Sequence, residues 1–251
     1  MPVTIKSNSE INKMRLAGKV VAKTFEHIRK NIRPAVTTEY LDKLADEFIK
    51  SQNALPSFKN YRGYPASICV SINQEVIHGI PSKRKLCDGD IVSIDLGAIL
   101  NGYHGDAART FIVGKTSPEN EKLVEVTQQS FFEGIKFAKA GCHLFDISAA
   151  IQDFVEANGF SVVKDYVGHG IGTQMHEAPE IPNYRQNRRG IKLESGMTLA
   201  IEPMVNIGTD KIILQSDGWT VITADNSYAA HYENTILITD SEPEILTATD
   251  F

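Results

Sequence analysis

Two apolar runs joined by a short polar link occupy residues 91–113, which read IVSIDLGAILNGYHGDAARTFIV. The link Asn101-Gly102 is typical of a two-residue type I′ turn, so the two runs are predicted to form a β-hairpin. In the register set by this turn, Asp95 faces Ala108. Because side chains alternate between the faces of a strand, Asp106 points to the same side as Ala108. We therefore expect Asp95 and Asp106 to be diagonal neighbours, roughly 7–8 Å apart at the backbone.

Three further residues extend this acidic pair. Glu202 and Glu233 also adjoin apolar runs, where an isolated buried charge would be costly. His169 lies within GHGIG (168–172), and the flanking glycines allow the backbone to approach a ligand closely. Considered without the other residues, the aspartate pair is explained equally well as a metal site or as solvated acids. A lone histidine is more often structural. Together, four carboxylates and one imidazole suit a pair of divalent metals, which indicates a two-metal hydrolase.

An internal repeat superposes one of these acids on another. The run KLCDGDIVSID (85–95) matches KLESGMTLAIE (192–202) at an offset of 107 positions, which places Asp95 on Glu202. A second match relates residues 33–53 to a stretch 106 positions later. Two matches at nearly one offset predict that the chain consists of duplicated halves.

The duplicated halves are predicted at 7–113 and 117–239, within one catalytic domain that spans 1–251. In each half, helices are followed by antiparallel strands, which predicts an α+β domain with pseudo-twofold symmetry. The predicted helices begin at Ser7 (with Glu10 three residues on) and at Ser117-Pro118, and a second pair covers 41–48 and 147–155. The predicted strands are 68–72, 91–100, 107–113, 160–163, 197–205, 212–214, 219–223 and 234–239.

Length, charge and cysteine content limit the other possibilities. The chain has 251 residues, a formal net charge of −5 and three cysteines. This charge gives no overall field for DNA or for a membrane surface. The first residues lack the apolar core of a signal peptide, and three scattered cysteines do not make a disulfide framework. We expect a cytoplasmic protein, monomeric by default, with no DNA or membrane partner.

Six motifs resemble those of the methionine aminopeptidases, which have the pita-bread fold. The motifs are IDLG (94–97), YHGD (103–106), GHGIG (168–172), IEPM (201–204), YENT (232–235) and NQEVIHGIP (73–81). The resemblance covers nearly the whole chain and implies a curved antiparallel sheet with outer helices. Only 26 positions separate His176 from Glu202, which leaves no room for the large insertion of type 2 enzymes. The chain therefore resembles the type 1 enzymes of bacteria.

The resemblance implies a function and a set of site residues. The chain would remove the initiator methionine from nascent polypeptides with a small second residue, using water activated by two divalent metals. Cobalt, manganese, iron(II), nickel and zinc all remain open as the metal. The implied metal ligands are Asp95, Asp106, His169, Glu202 and Glu233. The implied catalytic residues are His78, His176 and Glu202, and both histidines would also contact the substrate. The implied methionine pocket consists of Phe58, Tyr61, Tyr64, Cys69, Met175 and Trp219.

Two other functions are considered for the same residues. Proline-directed peptidases share the fold but usually carry a large domain ahead of the first ligand, whereas 94 residues precede Asp95 here. A non-enzymatic relative would have lost ligands, and this chain keeps all five. The basic runs YRQNRR (184–189) and KRK (83–85) are explained either as solvated loops or as transient contacts with ribosomal RNA.

Overall fold

The computed structural model describes residues 3–249 and residue 251. Within these residues the α-helices are α1 (Asn8–Arg29), α2 (Thr38–Ser51), α3 (Pro118–Ile135) and α4 (Leu144–Ala157), with a short 3₁₀ turn at Tyr61–Gly63. The predicted helix starts are confirmed. Ser7 caps α1 and closes a capping box with Glu10, while Ser117 caps α3 ahead of Pro118. None of these helices combines the length and the apolar character that a membrane span requires.

The strands pair antiparallel wherever the described residues pair, as predicted for the fold class. In chain order they are β1 (Leu55–Pro56), β2 (Ile68–Ile72), β3 (Glu75–Ile77), β4 (Ile91–Leu100), β5 (Tyr103–Ile112), β6 (Ser161–Val162), β7 (Gly168–Gly170), β8 (Glu177–Ile181), β9 (Thr198–Ile201), β10 (Met204–Asn206), β11 (Ile212–Leu214), β12 (Val221–Thr223), β13 (Ala229–His231), β14 (Glu233–Leu237) and β15 (Glu244–Ile245). The large sheet has the order β1-β4-β5-β14-β9-β7-β8, with β2 beside β4 and β15 beside β14. Two smaller sheets have the orders β13-β10-β6 and β11-β12-β3.

The predicted hairpin is confirmed, and it lies inside the large sheet. β4 and β5 pair along their full lengths in the expected register, with Asp95 opposite Ala108. Asn101 and Gly102 have φ values of 54° and 80°, as a type I′ turn requires. β5 begins at Tyr103 rather than at the predicted residue 107, because the strand pairing continues up to the turn.

The prediction of one continuous strand over 197–205 is wrong. β9 ends at Ile201, and the chain continues from Met204 as β10, which belongs to a different sheet. Pro203 lies in the break, and proline has no N–H group to donate to a ladder. Glu202 is therefore located where the chain leaves the large sheet.

Each pair of helices covers its own apolar core. In the first half, Phe25 of α1 and Leu41 of α2 belong to one buried cluster with Ile94 of β4. In the second half, Phe131 of α3 belongs to another cluster, together with buried residues of α4 and β9. The large sheet is thus packed on helices from both halves.

Matching backbone hydrogen bonds occur at positions that the repeat relates. The Ala35 N–H donates to the Leu86 carbonyl at 2.8 Å, and the Gly141 N–H donates to the Leu193 carbonyl at 2.9 Å. The Leu86 N–H donates to the Val36 carbonyl and the Leu193 N–H donates to the Cys142 carbonyl, both at 2.8 Å. The duplication stays a prediction, and these matched contacts support it.

Candidate functional site

Five neighbouring strands of the large sheet each supply one of the expected metal ligands. The strands lie side by side in the order β4-β5-β14-β9-β7. In the same order, the residues that they carry are Asp95, Asp106, Glu233, Glu202 (directly after β9) and His169. Residues far apart in the sequence are therefore adjacent in the sheet.

The strand registers direct the first three of these side chains to one face. Asp95 and Glu233 are both paired with Ala108, so the three residues form a row across β4, β5 and β14. Asp106 is two residues from Ala108 on the same strand and points the same way. The diagonal relation expected for Asp95 and Asp106 is present.

The remaining two candidate ligands join this face through β9. The pairing of β14 with β9 places Glu233 and the position of Glu202 on a common side. His169 pairs with Ala200, two residues before Glu202, and so shares that side. Since cross-strand partners project together, all five side chains converge above one part of the sheet.

The converging side chains come within metal-binding distance of each other. Asp106, His169 and Glu233 are buried, and each offers a ligand atom within 4.8 Å of the others. His169 Nε2 lies 3.6 Å from Glu202 Oε1. A group of carboxylates and one imidazole this close can hold a divalent cation.

Several oxygen atoms in this group have no partner within the described part of the protein. Asp95 Oδ1, Asp106 Oδ1 and Glu233 Oε1 are buried and accept no hydrogen bond. Buried polar atoms normally have partners, because leaving one unpaired costs free energy. These oxygens therefore fit a bound cation, which would provide the missing interaction.

Burial and mutual repulsion change the acidity of the four carboxyl groups. Burial raises the pKa of Asp106 to about 7. The pKa of Asp95, of Glu202 and of Glu233 is also raised, first by burial and then by the neighbouring negative charges. Without a cation the cluster would hold protons at neutral pH, so bound metal is what permits full ionisation.

The environment of His169 selects the form that binds metal. Burial, followed by the nearby His176, lowers the pKa of His169 to about 3, so its imidazole is neutral. Nδ1 lies 2.9 Å from the Gly170 carbonyl oxygen, which only accepts hydrogen bonds. Nδ1 therefore carries the proton, and Nε2 presents its lone pair toward the carboxylates.

A cavity of about 380 Å³ contains every residue expected at the site. Its lining includes Phe58, Tyr61, Tyr64, Cys69, His78, Asp95, Asp106, His169, Met175, His176, Glu202, Trp219 and Glu233. The metal-ligand candidates and the pocket candidates are thus parts of one space.

His176 and His78 both line this cavity, and each contacts different aromatic neighbours. The His176 ring centroid is 4.2 Å from that of His169, and its Nδ1 is 2.8 Å from the Tyr61 hydroxyl oxygen. Burial lowers the pKa of His78 to about 4, and its ring meets the ring of Tyr166 edge to face. The φ of His78 is 60°, an uncommon backbone conformation for a residue with a Cβ.

An apolar pocket adjoins the carboxylates. Phe58, Tyr64, Cys69 and Met175 form a buried cluster against which Trp219 packs. Burial and the charge of Asp95 raise the pKa of the Cys69 thiol, which favours its neutral form as part of the pocket wall.

Six cavity residues were not expected from the sequence. They are Arg62, Ile77, Asp165, Tyr166, Val167 and Glu180. The stretch 165–167 directly precedes Gly168-His169, and that position was an available signal. Glu180 is opposite His169 on β8, an arrangement that only the strand pairing reveals. His231 was also missed, although its Nε2 lies 3.8 Å from Glu202 Oε2.

Comparison with known proteins agrees with this geometry. The methionine aminopeptidase of Clostridium acetobutylicum is 59% identical over 246 residues, which cover 98% of each chain. The structure of methionine aminopeptidase from Rickettsia prowazekii matches with a TM-score of 0.97 and 44% identity, covering 98% of this chain and 100% of that one. The prolidase from Pyrococcus furiosus has a TM-score of 0.81 and 23% identity, and the match covers 66% of its length, so it shows a shared fold alone.

A family assignment follows from the sequence match over most of the chain. The model of metallopeptidase family M24 matches residues 12–240, a span that includes every candidate metal ligand. The chain belongs to metallopeptidase family M24.

Proposed function

We propose that the chain is a methionine aminopeptidase that removes the initiator methionine from polypeptides with a small second residue. One observation carries this proposal: the carboxylate and imidazole cluster forms one wall of a cavity whose neighbouring wall is apolar and sulfur-containing. The flexible thioether side chain of a substrate methionine suits such a wall, since its sulfur is polarisable and packs well against aromatic rings. Relatives that match along nearly their whole length are methionine aminopeptidases by name.

Membership of a metallopeptidase family implies that the chain binds divalent metal. In the proposal there are two ions: Asp95, Asp106 and Glu233 would hold or bridge one, and His169 with Glu202 would complete the other. When bound, the metals supply activation of the attacking water and polarisation of the scissile carbonyl. Cobalt, manganese, iron(II), nickel and zinc all suit this mixed oxygen and nitrogen donor set.

Glu202 is proposed as the proton carrier of the reaction. Its carboxylate lies at the end of β9, where the chain turns away from the sheet, and it lines the cavity. A carboxylate that lines the cavity beside the attacking water is placed to take up its proton. The same carboxyl group would then release that proton to the departing amine.

His176 is proposed to stabilise the developing oxyanion. Desolvation in the cavity lowers its pKa, so the ring is neutral and has one N–H. If the Tyr61 hydroxyl donates to Nδ1 across their 2.8 Å contact, the proton is on Nε2 and is free to donate toward the substrate. His78 would contact the peptide near its amino end.

A peptide assay tests the proposed function. Chelated protein, reloaded with each metal in turn, is given Met-Ala-Ser and matched Xaa-Pro peptides, and the released amino acid is measured. We expect metal-dependent release of methionine from Met-Ala-Ser only. Preference for Xaa-Pro peptides would indicate a proline-directed enzyme, and metal binding without any hydrolysis would indicate a binding protein.

The proposed substrates are the amino termini of nascent polypeptides, met in the cytoplasm by a monomeric enzyme. The two basic runs, at 83–85 and 184–189, are the feature that supports contact with the ribosome. Arg84, Arg185 and Arg189 of these runs are already in ion pairs with Glu75, Asp153 and Asp146. Ribosome pelleting that weakens as salt rises would support such contact.

A further inference from the structure

The residues that precede α1 reach the loop that carries His176. Within this N-terminal strap (residues 3–7), Lys6 Nζ lies 2.7 Å from Glu177 Oε2, and Thr4 Oγ1 donates to the same oxygen at 2.9 Å. The Lys6 side chain is only 6% exposed, and that of Glu177 only 10%. Because water and salt screen such a shielded pair weakly, its attraction is stronger and more directional than that of a surface pair.

Glu177 in turn stabilises the conformation of the loop at 172–177. Its Oε1 accepts a hydrogen bond from the Gln174 N–H at 3.1 Å, and the Gly172 N–H donates to the Gln174 carbonyl at 3.0 Å. Met175 and His176 lie between these fixed points, and both line the cavity. One carboxylate therefore anchors the short segment that presents two site residues.

Gly172 packs closely against the ion pair. A Cβ added at Gly172 would lie 2.6 Å from Glu177 Oε1 and 2.7 Å from Lys6 Cε. The strap is also fixed to the protein on its other side, since the Lys6 N–H donates to the Gly196 carbonyl at 2.9 Å. The position of Glu177 is thus set from the N-terminal strap and not by the loop alone.

We propose that Lys6 is a positioning residue, which acts through Glu177 to fix the location of His176 in the cavity. The inference rests on the proposed function, in which His176 donates to the oxyanion. A hydrogen-bond donor of this kind is effective only within a narrow range of positions, and displacement by about 1 Å can cost about 100-fold in rate. The strap would therefore set kcat without touching substrate or metal.

Substitution of Lys6 tests this proposal. With metal-loaded protein and Met-Ala-Ser, Lys6→Met and Glu177→Gln should each lower kcat by about 10- to 100-fold, with little change in KM or in bound metal. Lys6→Arg keeps the charge and should restore most of kcat. Arg15→Met is the matched control, because it removes an ion pair to Glu244 that is exposed to solvent, and it should leave kcat unchanged.

A measurement independent of activity separates the two proposals. Histidine imidazole signals in NMR spectra should shift for His176 in Lys6→Met and stay constant for His27, which stacks on Phe48 away from the cavity. Wild-type protein that releases no methionine would contradict the proposed function, while the His176 signal still decides the role of Lys6. Unchanged His176 signals, unchanged kcat, failure of Lys6→Arg to restore activity, or loss of metal in Lys6→Met would each overturn the inference.

Discussion

Asp106 shows at the level of one residue how the cluster depends on a cation. It is buried, one of its oxygens has no partner, and burial raises its pKa to about 7 from an ordinary value of 3.8. A carboxyl group whose pKa is raised in the folded state stabilises the fold at low pH. That contribution is lost as the pH rises from about 4 through about 7. In metal-free protein, ionised Asp106 is therefore a source of instability.

Asp106→Asn removes this titration, which leads to a prediction about metal-free protein. Relative to wild type, the variant should gain stability by up to about 3 kcal/mol between pH 5 and pH 8. Urea unfolding of chelated samples at both pH values measures the difference. With metal present the order should reverse, because the variant has lost a ligand. Parallel pH profiles for the two chelated proteins would contradict the assigned pKa shift.

His176 and Tyr61 allow a second prediction at the residue level. His176→Ala should lower kcat by about 10²–10³-fold with unchanged metal content, since an oxyanion donor acts in the transition state. Tyr61→Phe should give a smaller loss, because it removes the hydroxyl that orients His176. Steady-state kinetics and metal analysis test both, with His27→Ala as a histidine control outside the cavity. Loss of metal in His176→Ala would assign this residue to the metal site instead.

At the level of elements, the β4–β5 hairpin determines which face carries Asp95 and Asp106. A shift of the register by one residue would direct one of the two aspartates to the opposite face. The turn depends on Gly102, whose φ of 80° is unfavourable for residues with a Cβ. A Cβ at this position would meet no atom within 4 Å, so substitution here alters backbone strain alone.

Gly102→Val should therefore destabilise the protein by about 1–3 kcal/mol, the cost of placing a branched residue at positive φ. Asn101→Gly is the matched control in the same turn, and it should change stability by much less, because glycine accepts the φ of 54° found there. The midpoint of urea unfolding measures both effects. Equal destabilisation by the two variants would show that the turn conformation is not what stabilises the hairpin.

The same elements show how far the sequence could predict the fold. Asn101-Gly102 and the alternation of β4 predicted the hairpin register, because both signals are local. The break between β9 and β10 was not predicted, since the change of sheet at Pro203 depends on distant partners. β7 and β8 were also missed as strands: GHG has little strand propensity, and Glu177–Ile181 includes a proline.

The candidate site residues, but not the full lining of their cavity, could be predicted from the sequence. Motif positions indicated the carboxylates, His78, His176 and the apolar pocket, and one cavity contains all of them, while their roles stay predictions. Tyr166 lines the cavity from the loop before β7, and Glu180 lines it because β8 pairs with β7. No sequence pattern predicted either position. The ion pair of Lys6 with Glu177 joins positions 171 residues apart, which local patterns cannot connect.

At the scale of the whole molecule, the candidate metal site lies at the junction of the two halves. Asp95 and Asp106 come from the first half, whereas His169, Glu202 and Glu233 come from the second. Each half has its own helix pair and apolar core, and the large sheet is continuous across both. A cation bound to ligands from both halves would therefore link two separately packed cores.

This arrangement predicts that metal stabilises the entire protein and not one half. Metal at about 100 times its Kd adds about 2.7 kcal/mol, which raises Tm by roughly 5–10 °C for a chain of this size. Calorimetry of chelated and reloaded protein should show one transition in both states, and hydrogen exchange should slow in α1 and α3 alike. Asp106→Asn should shift little on metal addition, which controls for binding elsewhere. Protection confined to one pair of helices, or a second transition after chelation, would mean that the halves unfold independently and that the cation does not link them.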